Sequence, residues 1–538
     1  MHNEKEVALA EMLAARDSRV SRQQELLKKY HKPLISFTMN IAGPVKTGDL
    51  IHRAFLYGER AVRKMLAGQK IQILHYEKND VQNNDIKKED ARSSKRLNPK
   101  MTQIPATGEE AIFVVDANAL DLKRLTVFLE DESNAGSGTA TDTNKRVGIG
   151  RLFDMDVIRE NGEKVDREEI GAAERCCLIC NKPAKVCARS RTHSVEELQA
   201  KTREMLRGFF AHLDAVVISR NACKALLYEA ATTPKPGLVD RANNGSHDDM
   251  DFYSFIDSAT VLQEFFYICA RTGISATESR AYEVDGDVSD VSLKKADKNT
   301  QEQATYKTDG HETVSTDHNP AYRYKKDYVD QLRLSGLLAE GEMLSATGGV
   351  NTHKGAIFSM GLICAALGAV GAPKWGDAEA VLAESSLIAT RITDTDLKKL
   401  TKDTAVTTGQ ILYLEYGIRG ARGQAEDGYP AVLHHGLPVL ERELAAGQAK
   451  DRAGAITMLH LMCAETDTNL IARSDKKTQE EVTEKVRALL TKNPSPSEEE
   501  IEALDIQFIE KNLSPGGSAD LLALCWMLYF MRRESADV

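Results

Sequence analysis

The sequence predicts a multidomain protein, with an α+β domain in residues 1–203 and an all-α domain in residues 204–538. A chain of 538 residues is too long for one hydrophobic core. Short apolar runs typical of β-strands, such as residues 34–38 and 112–115, occur in the first part. From residue 206 onward, apolar side chains recur mainly at helical spacing, which favours a helical second domain.

Local patterns place the elements of the first domain in order. They predict helices at residues 4–30 and 49–67, and strands at residues 34–38, 71–74 and 112–115. Two segments have almost no apolar content and are expected to be flexible insertions, at residues 78–102 and 133–145. Residues 284–325 in the second domain are expected to be a disordered insertion for the same reason.

Composition limits the class of protein. A net charge of -10 and a pI of about 5.8 argue against a general nucleic-acid-binding protein. No apolar run approaches the roughly 20 residues of a membrane span, so no membrane partner is expected. Nine cysteines without a secretion signal predict reduced thiols and a cytoplasmic location.

The segment LFDMDVI, at residues 152–158, has the alternation of a β-strand. Period two places Asp154 and Asp156 on one face of that strand. Two adjacent carboxylates repel unless a cation joins them, and Mg²⁺ prefers hard oxygen ligands. The pattern therefore predicts a catalytic metal site, although an exposed strand face would show the same alternation.

A cysteine-rich segment follows, CCLICNKPAKVCARSRTH. Its order C-x2-C-x6-C-x5-H offers four ligands for tetrahedral Zn²⁺, namely Cys177, Cys180, Cys187 and His193. The spacing after the first pair is unusual, and Cys176 is a spare thiol. Buried thiols beside a basic helix start would give the same pattern, with Arg189 and Arg191 serving phosphates instead.

In the second domain, GGVNTHKGAIF predicts an anion-binding loop at a helix start. Two glycines are followed by four polar residues, including Asn351, His353 and Lys354, and then by an apolar helical run. Helix N-termini favour negative charge because their N–H groups are unpaired. The segment lacks the spacing of a P-loop, and a solvated turn would show the same residues.

Four further polar motifs interrupt the helical pattern. They are TPKPGLVDRANNGSHDDMD, GIRGARGQAEDGYP, ETDTNLIAR and SPGGSADLLA, with Ser518 as a candidate N-cap in the last. We expect them to converge with GGVNTHKGAIF on one polyanionic substrate. The candidate substrate-binding residues are Lys235, Asp240, Arg241, His247, Asn351, His353, Lys354, Arg419, Arg422, Asp427, Asp467 and Arg473.

These motifs resemble two known families. NIAGPVK, GRLFDMDV and CxxC…CARSRTHSVEEL resemble apo-citrate lyase phosphoribosyl-dephospho-CoA transferase, over about residues 5–203. The five motifs of the second domain resemble triphosphoribosyl-dephospho-CoA synthase, over about residues 208–538. The second resemblance is the more specific, because five motifs occur in order. Together, the two resemblances imply a nucleotidyltransferase-like first domain joined to a synthase domain.

The resemblance implies two consecutive reactions. The synthase joins ATP to 3′-dephospho-CoA and releases adenine, and its α-linked product implies one inverting displacement. The transferase then moves the phosphoribosyl-dephospho-CoA group to a serine of the citrate lyase acyl carrier (gamma) subunit and releases pyrophosphate. For the first step, Asp249 or Glu426 is the candidate base. For the second, Asp154 and Asp156 would hold Mg²⁺.

Three further interpretations of the sequence remain open. The synthase half is similar to one that serves the prosthetic group of malonate decarboxylase, although LFDMDV and CARSRTH favour citrate lyase. An N-glycosidic hydrolase would use water in place of the dephospho-CoA hydroxyl. A zinc-bearing carrier-protein adaptor would have no catalytic activity.

Overall fold

The computed structural model describes residues 5–79, 104–131, 148–180, 182–279, 282–284 and 322–536. The chain divides into two compact units, Met1–His212 and Leu213–Val538. The division falls within one helix, Val195–Ala231, shortly after the predicted boundary at residue 203. An uninterrupted helix carries no loop signal, which explains why sequence patterns place the boundary only approximately.

The first unit combines helices with one antiparallel sheet. Its elements are α1 (Leu9–Tyr30), β1 (Leu34–Met39), α2 (Asp49–Gly68), β2 (Ile73–Lys78), β3 (Glu110–Val115), α3 (Ala119–Asp131), β4 (Phe153–Ile158), α4 (Ala184–Ser190) and the start of α5 (Val195–Ala231). The sheet order is β2-β3-β1-β4, so β4 lies at an edge. The predicted strand at residues 71–74 is displaced, because β2 starts at Ile73 and extends to Lys78.

Side chains of α3 cover the outer edge of β4. The buried carboxylate of Glu130 accepts the Met155 backbone N–H at 2.9 Å, and the buried Lys123 ammonium donates to the Met155 carbonyl at 3.3 Å. Unpaired backbone groups at a sheet edge are costly when buried. These two contacts therefore fix the edge strand that carries Asp154 and Asp156.

The second unit is mainly helical. Its elements are α6 (Phe252–Val261), α7 (Gln263–Ser279), β5 (Tyr282–Val284), β6 (Tyr322–Tyr324), α8 (Lys326–Ala346), α9 (Lys354–Val370), α10 (Ala378–Ile388), α11 (Ile392–Leu397), α12 (Thr408–Tyr416), α13 (Gly420–Glu426), α14 (Leu437–Ala445), α15 (Lys450–Ala464), α16 (Thr468–Arg473), α17 (Lys476–Lys492), α18 (Glu498–Glu510) and α19 (Gly516–Ala536). The pairing of β5 with β6 departs from the all-α prediction.

The predicted insertions fall largely outside the described residues. In the first predicted insertion, Lys78 is the last residue of β2. The residues of this insertion from 80 to 102 lie outside the described part of the chain. The predicted loop at 133–145 lies outside as well. The prediction for 284–325 is wrong at both ends, because Val284 and Tyr322–Tyr324 form the β5–β6 pair. Backbone pairing at these ends needs no apolar periodicity, so the sequence pattern gives no sign of it.

The core of the second unit is built around α9, which is buried along most of its length. Helix α7 packs closely against it, because a Cβ at Gly273 would overlap the Ala365 carbonyl. A Cβ at Gly368 would likewise overlap the Ala270 carbonyl. This packing buries most of α9, whereas Gly348, Gly349, Asn351 and Lys354 at and before its N-terminus are exposed and His353 is buried. No helix in the described part of the chain is both long and apolar enough to cross a membrane.

Candidate functional site

Asp154 and Asp156 lie side by side on β4, as the alternation predicts. Their partners across the antiparallel ladder with β1 are Thr38 and Ser36. Both carboxylates are partly exposed, at 43% and 32%. Partial burial raises the pKa of Asp154, and the negative charge of Asp156 raises it further. Each carboxylate thus increases the other's demand for a cation, which fits hard-oxygen binding of Mg²⁺.

Three cationic side chains surround this pair, and none of them was predicted from the sequence. Arg175 donates to Asp154 at 3.3 Å, and Lys164 lies 2.5 Å from Asp156. Lys123 is buried and close enough for the charge of Asp156 to act on it, although burial lowers its pKa overall. They come from separate segments, so no local motif marks them.

The four predicted zinc ligands also meet. One ligand atom from each of Cys177, Cys180, Cys187 and His193 lies within 4.8 Å of the other three. The Sγ atoms of Cys180 and Cys187 are 3.3 Å apart. The spare thiol, Cys176, is exposed and is not part of this group.

In the second unit, the predicted anion loop does lead into a helix. Helix α9 begins at Lys354, whose N–H donates to the Asn351 side chain at 3.1 Å. The Lys354 ammonium lies at the surface, 2.8 Å from Glu340 and 53% exposed. It therefore has an anionic partner that a bound phosphate would have to displace.

His353 is buried and neutral, which changes its predicted role. Its Nδ1 atom lies 2.6 Å from the Ser258 hydroxyl, and its Nε2 atom has no partner among the described residues. Burial, aided by the positive charge of Lys235, lowers the pKa of His353 to about 3. The ring can therefore donate one N–H to a ligand but cannot supply a positive charge near neutral pH.

Lys235 and Glu229 form a buried ion pair beside this loop. The Lys235 ammonium is 2.5 Å from the Glu229 carboxylate and 3.0 Å from the Glu229 carbonyl. Burial raises the pKa of Glu229, and the Lys235 charge opposes that rise. Asp240 accepts N–H groups of Lys235, Ala242 and Asn243, so it holds the loop rather than a substrate.

His247 connects three of the polar motifs through its contacts with Ser514 and Arg473. His247 lies 2.9 Å from the Ser514 hydroxyl through Nε2 and 2.9 Å from Arg473 through Nδ1. Burial and the Arg473 charge lower the pKa of His247 to about 4. The predicted base Asp249 lies 3.9 Å from His247, with its carboxylate 65% exposed.

Asp467 joins ETDTNLIAR to SPGGSADLLA. One carboxylate oxygen accepts the N–H groups of Asn469 and Leu470 and caps α16. The other accepts the Ser518 N–H at 2.7 Å and its hydroxyl at 3.0 Å. The N-cap prediction for Ser518 is wrong, because α19 already begins at Gly516 and the Ser518 side chain serves Asp467.

Asp520 is the clearest residue that the sequence prediction missed. A Cβ at Gly355 would overlap its carboxylate, so Asp520 lies directly against the start of α9. Burial raises its pKa well above the usual range, and the charges of Glu229 and Asp467 raise it further. A single acid within the apolar run of α19 was the available sequence signal.

A further cluster of acidic side chains is formed by GIRGARGQAEDGYP together with Glu465 of ETDTNLIAR. Gln424 donates to the Glu465 carboxylate, and Arg419 pairs with Asp427 and lies 3.6 Å from Glu426. Burial raises the pKa of Glu465 to about 7, and the charges of Asp467 and Asp427 contribute. Glu465 was also missed, although it opens one of the predicted motifs.

Two predicted binding residues face elsewhere. Arg241 pairs with the exposed Asp451 at 2.7 Å. Arg422 bonds Asp396 on α11 at 2.9 Å, and Arg333 on α8 bonds the same carboxylate. Both arginines are therefore paired with carboxylates outside the network around Asp467 and Asp520. The other polar motifs are joined to one another by contacts of Ser514, Ser518, Asp520 and Glu465. The residues in contact are far apart along the chain, so local sequence patterns do not reveal these contacts.

Both units of the chain match models of known families. The family model described as ATP:dephospho-CoA triphosphoribosyl transferase matches residues 215–537, more than half of the chain. The chain belongs to this triphosphoribosyl transferase family. A second family model, apo-citrate lyase phosphoribosyl-dephospho-CoA transferase, matches residues 7–87 and 79–209. The triphosphoribosyl transferase is therefore fused to a second transferase, and the chain is a bifunctional enzyme.

Several curated relatives show the same arrangement or its second half. "Protein CitXG" of Haemophilus influenzae is 29% identical, over 96% of this chain and 95% of its own length. A "Probable 2-(5''-triphosphoribosyl)-3'-dephosphocoenzyme-A synthase" of Streptococcus equi is 35% identical, over 59% of this chain and 97% of its own length. The synthase of that name from Pectobacterium atrosepticum is 34% identical, over 62% of this chain and 96% of its own length.

Proposed function

We propose that this chain makes the citrate lyase prosthetic group and attaches it. The second unit, as a mainly α-helical domain, joins ATP to 3′-dephospho-CoA and releases adenine. The first unit, as an α+β nucleotidyltransferase-like domain, moves the phosphoribosyl-dephospho-CoA group to a serine of the citrate lyase acyl carrier (gamma) subunit and releases pyrophosphate. Both steps are placed in the cytoplasm, with no nucleic-acid or membrane partner.

The observation that carries the proposal is the meeting of polar motifs around Asp467, Asp520 and Glu465. In the first reaction, the 2′-hydroxyl of dephospho-CoA forms a bond to C1 of the ATP ribose, and the bond from C1 to adenine breaks. The hydroxyl loses a proton and the adenine gains one, with oxocarbenium character between. Two carboxyl groups with different proton affinities suit this exchange.

Glu465 is our proposed base. A pKa of about 7 leaves much of it ionised near neutral pH while keeping it a strong acceptor. Asp249 is more exposed to solvent, and the Glu426 carboxylate already has a cationic partner in Arg419, 3.6 Å away. Asp249 and Glu426 are therefore weaker candidates for the base than Glu465. Comparing adenine release by the three amide variants distinguishes between these candidates.

Asp520 is our proposed acid. Its raised pKa keeps a proton on the carboxyl group, and that proton can pass to the departing adenine. The Ala356 N–H, at the start of α9, contacts the same carboxyl group and holds it in place. Asp467 accepts four hydrogen bonds, so we assign it a structural role rather than that of a proton carrier.

The triphosphate of ATP requires positive charge near these groups. Lys354, Arg419 and Arg473 lie on three of the motifs and are our proposed contacts, each releasing a present partner on binding. Lys235 supplies charge from the interior, and His353 supplies a neutral N–H. Asn351 fixes the Lys354 backbone. Mg²⁺ bound to the nucleotide would neutralise part of the remaining charge.

In the second reaction, the serine hydroxyl of the carrier attacks the α-phosphorus of the triphosphate in line. The new bond is a phosphodiester, and pyrophosphate leaves from the opposite side. Asp154 and Asp156 would hold Mg²⁺, which neutralises charge on the triphosphate when it is bound. Arg175 and Lys164 orient the two carboxylates.

Mass spectrometry of the carrier subunit tests both steps together. The full chain is incubated with ATP, Mg²⁺, dephospho-CoA and the citrate lyase carrier, and adenine is measured in parallel. We expect adenine release that depends on dephospho-CoA, and a carrier mass increase equal to one phosphoribosyl-dephospho-CoA group. Adenine release without dephospho-CoA would support a hydrolase instead.

Two further controls test a malonate decarboxylase role and a non-catalytic adaptor role. The malonate decarboxylase carrier in place of the citrate lyase carrier should stay unmodified if the first unit has the proposed specificity. A chain that releases no adenine from ATP and dephospho-CoA and leaves both carriers unmodified would be an adaptor without catalysis. Either contrary result would overturn the corresponding half of the proposal.

A further inference from the structure

The segment that contains Cys177 and Cys180 folds as a small hairpin. The Cys177 N–H donates to the Lys182 carbonyl at 2.6 Å, and the Ala184 N–H donates to the Arg175 carbonyl at 2.7 Å. The Cys177 sulfur accepts the Ile179 N–H at 3.5 Å. A tight turn therefore points both sulfurs of the C-x2-C pair to one side.

Helix α4 and the loop after it supply the other two ligands. Cys187 lies on α4, and Arg191 ends that helix in the left-handed region with φ 46°. This reversal returns the chain toward the hairpin and brings His193 to the three thiols. The His193 Nε2 atom is buried and has no hydrogen-bond partner among the described residues. A buried ring nitrogen left unpaired is costly, and a metal ion removes that cost.

The four ligand atoms are close enough together to share one tetrahedral zinc ion. With Zn–S bonds of about 2.3 Å, two thiolates on one ion lie roughly 3.8 Å apart. The four ligand atoms lie within 4.8 Å of one another, and the Cys180 and Cys187 sulfurs are 3.3 Å apart. That separation is far longer than the ~2.05 Å of a disulfide bond.

We propose that Cys177, Cys180, Cys187 and His193 bind one structural Zn²⁺ ion. Four protein ligands complete a tetrahedron and leave no open position for substrate, which is the arrangement of structural rather than catalytic zinc. The ion closes the hairpin onto α4. It therefore fixes a segment whose described hydrogen bonds along the backbone are few.

The zinc segment is also attached to the aspartate strand. Arg175, two residues before the first ligand, donates to the Asp154 carboxylate and to the Phe153 carbonyl at 3.0 Å. Arg151, which precedes β4, donates to the Cys176 carbonyl. We infer that the ion keeps Arg175 in position, which makes the zinc centre a positioning element for the carrier-modifying step. This second part rests on the proposed function, whereas metal binding does not.

Metal analysis of the purified full chain is the primary test. We expect about one zinc per wild-type chain by inductively coupled plasma mass spectrometry, and a value near zero for Cys180→Ser and Cys187→Ser. The matched control is Cys176→Ser, which removes the neighbouring exposed thiol and should retain the metal. Wild-type protein that takes up no zinc would overturn the proposal, as would equal zinc loss in the control.

A second measurement uses only the wild-type chain, so it does not depend on whether the variants fold. Wild-type chain exchanged into Co²⁺ should show the visible absorption of cobalt bound to tetrahedral thiolates. Titration of thiols in the unfolded, metal-free wild type should find all nine cysteines reduced. A Cys180–Cys187 disulfide with no metal uptake would contradict the zinc assignment and identify a redox pair instead.

Activity then separates the zinc inference from the proposed function. In Cys187→Ser we expect carrier modification to fall about 10–100-fold, with adenine release unchanged. If the wild type binds zinc and the loss of zinc in the variant leaves carrier modification unchanged, the positioning role is rejected and the metal site stands. Zinc present in a wild-type chain that modifies no carrier would instead reject the proposed function.

Discussion

In the first unit, the carboxylates of Asp154 and Asp156 are 43% and 32% exposed and face cations that solvent also reaches. In the second unit, Glu229 and Asp467 are buried, and Asp520 lies against their charges. The exposed pair can take up a metal ion with little desolvation. The buried group cannot, and burial shifts its proton affinities instead.

This difference corresponds to two kinds of chemistry. Transfer of a phosphoryl group requires neutralisation of charge on the triphosphate, for which an accessible carboxylate pair and Mg²⁺ suffice. Displacement of adenine requires proton transfer at both ends of the reaction. Carboxyl groups with raised pKa values, such as Glu465 and Asp520, suit that task. The following changes test the contrast, from the largest expected effect to the smallest.

Replacing Asp154 by asparagine should abolish carrier modification, a loss of roughly 10³-fold or more, because one carboxylate of the proposed metal site is removed. Adenine release should stay at the wild-type level. The measurement is the carrier mass beside the adenine yield. Asp121→Asn, at an exposed position on α3, is the matched control. If both activities fall together, the division into two sites is wrong.

The Glu465→Gln variant should lose about 10²–10⁴-fold in adenine release, because the proposed base is removed. Transfer from preformed triphosphoribosyl-dephospho-CoA should be unaffected. Glu480→Gln, at an exposed position on α17, should behave like the wild type. Wild-type rates for Glu465→Gln, with a loss in Asp249→Asn or Glu426→Gln, would move the base to one of those residues.

The pH profile of adenine release gives a second test of Glu465. Its pKa is raised to about 7, so the carboxyl group is protonated below that pH and cannot accept the hydroxyl proton. We expect kcat to fall about tenfold per unit as the pH drops below 7, and to level off above it. In Glu465→Gln this inflection should disappear; an unchanged inflection would assign it to another group.

Lys354→Ala should lower kcat/KM for adenine release on the order of 10²-fold if its ammonium aids charge development at the triphosphate. The variant Lys326→Ala removes a comparable exposed lysine from α8 and should have no effect. Steady-state kinetics at varied ATP concentration provides the measurement. A folded and fully active Lys354→Ala chain would remove this residue from the site.

The smallest expected change is in stability. Gly355→Ala should destabilise the second unit by about 1–3 kcal/mol, because the added methyl group overlaps the Asp520 carboxylate. Gly341→Ala on α8 meets no atom within 4 Å and should be neutral or slightly stabilising. Trp375 and Trp526, the only two tryptophans, both lie in the second unit and report its urea unfolding. Equal midpoints for the two variants would argue against close packing at Gly355.

Patterns within a short segment were predictable from the sequence. The Asp154–Asp156 alternation and the cysteine and histidine spacing each depend on fewer than about twenty consecutive residues, and the structure places each group together. Strand β2 was displaced because its half-buried side chains lack a clear period. The pairing of β5 with β6 was missed because each strand is only three residues long and the sequence there has no apolar periodicity.

Residues brought together over long distances were not predictable. Asp467 and Ser518 are 51 positions apart, yet they form a buried hydrogen bond that removes Ser518 from its predicted capping role. Burial raises the pKa of Asp520, and the charges of Glu229 and Asp467, which lie on other segments, raise it further. His353 was predicted as a substrate-binding residue of the anion loop, but burial against α6 makes it neutral. Tertiary packing sets these properties.

The most direct test of two separable sites is complementation between two variants that each lack one of the two activities. Asp154→Asn and Glu465→Gln chains are mixed with ATP, Mg²⁺, dephospho-CoA and the carrier subunit, and the carrier is weighed by mass spectrometry. We expect each variant alone to leave the carrier unmodified and the mixture to restore the phosphoribosyl-dephospho-CoA mass increase. An unmodified carrier in the mixture, although each variant retains its other activity, would contradict the two-site organisation.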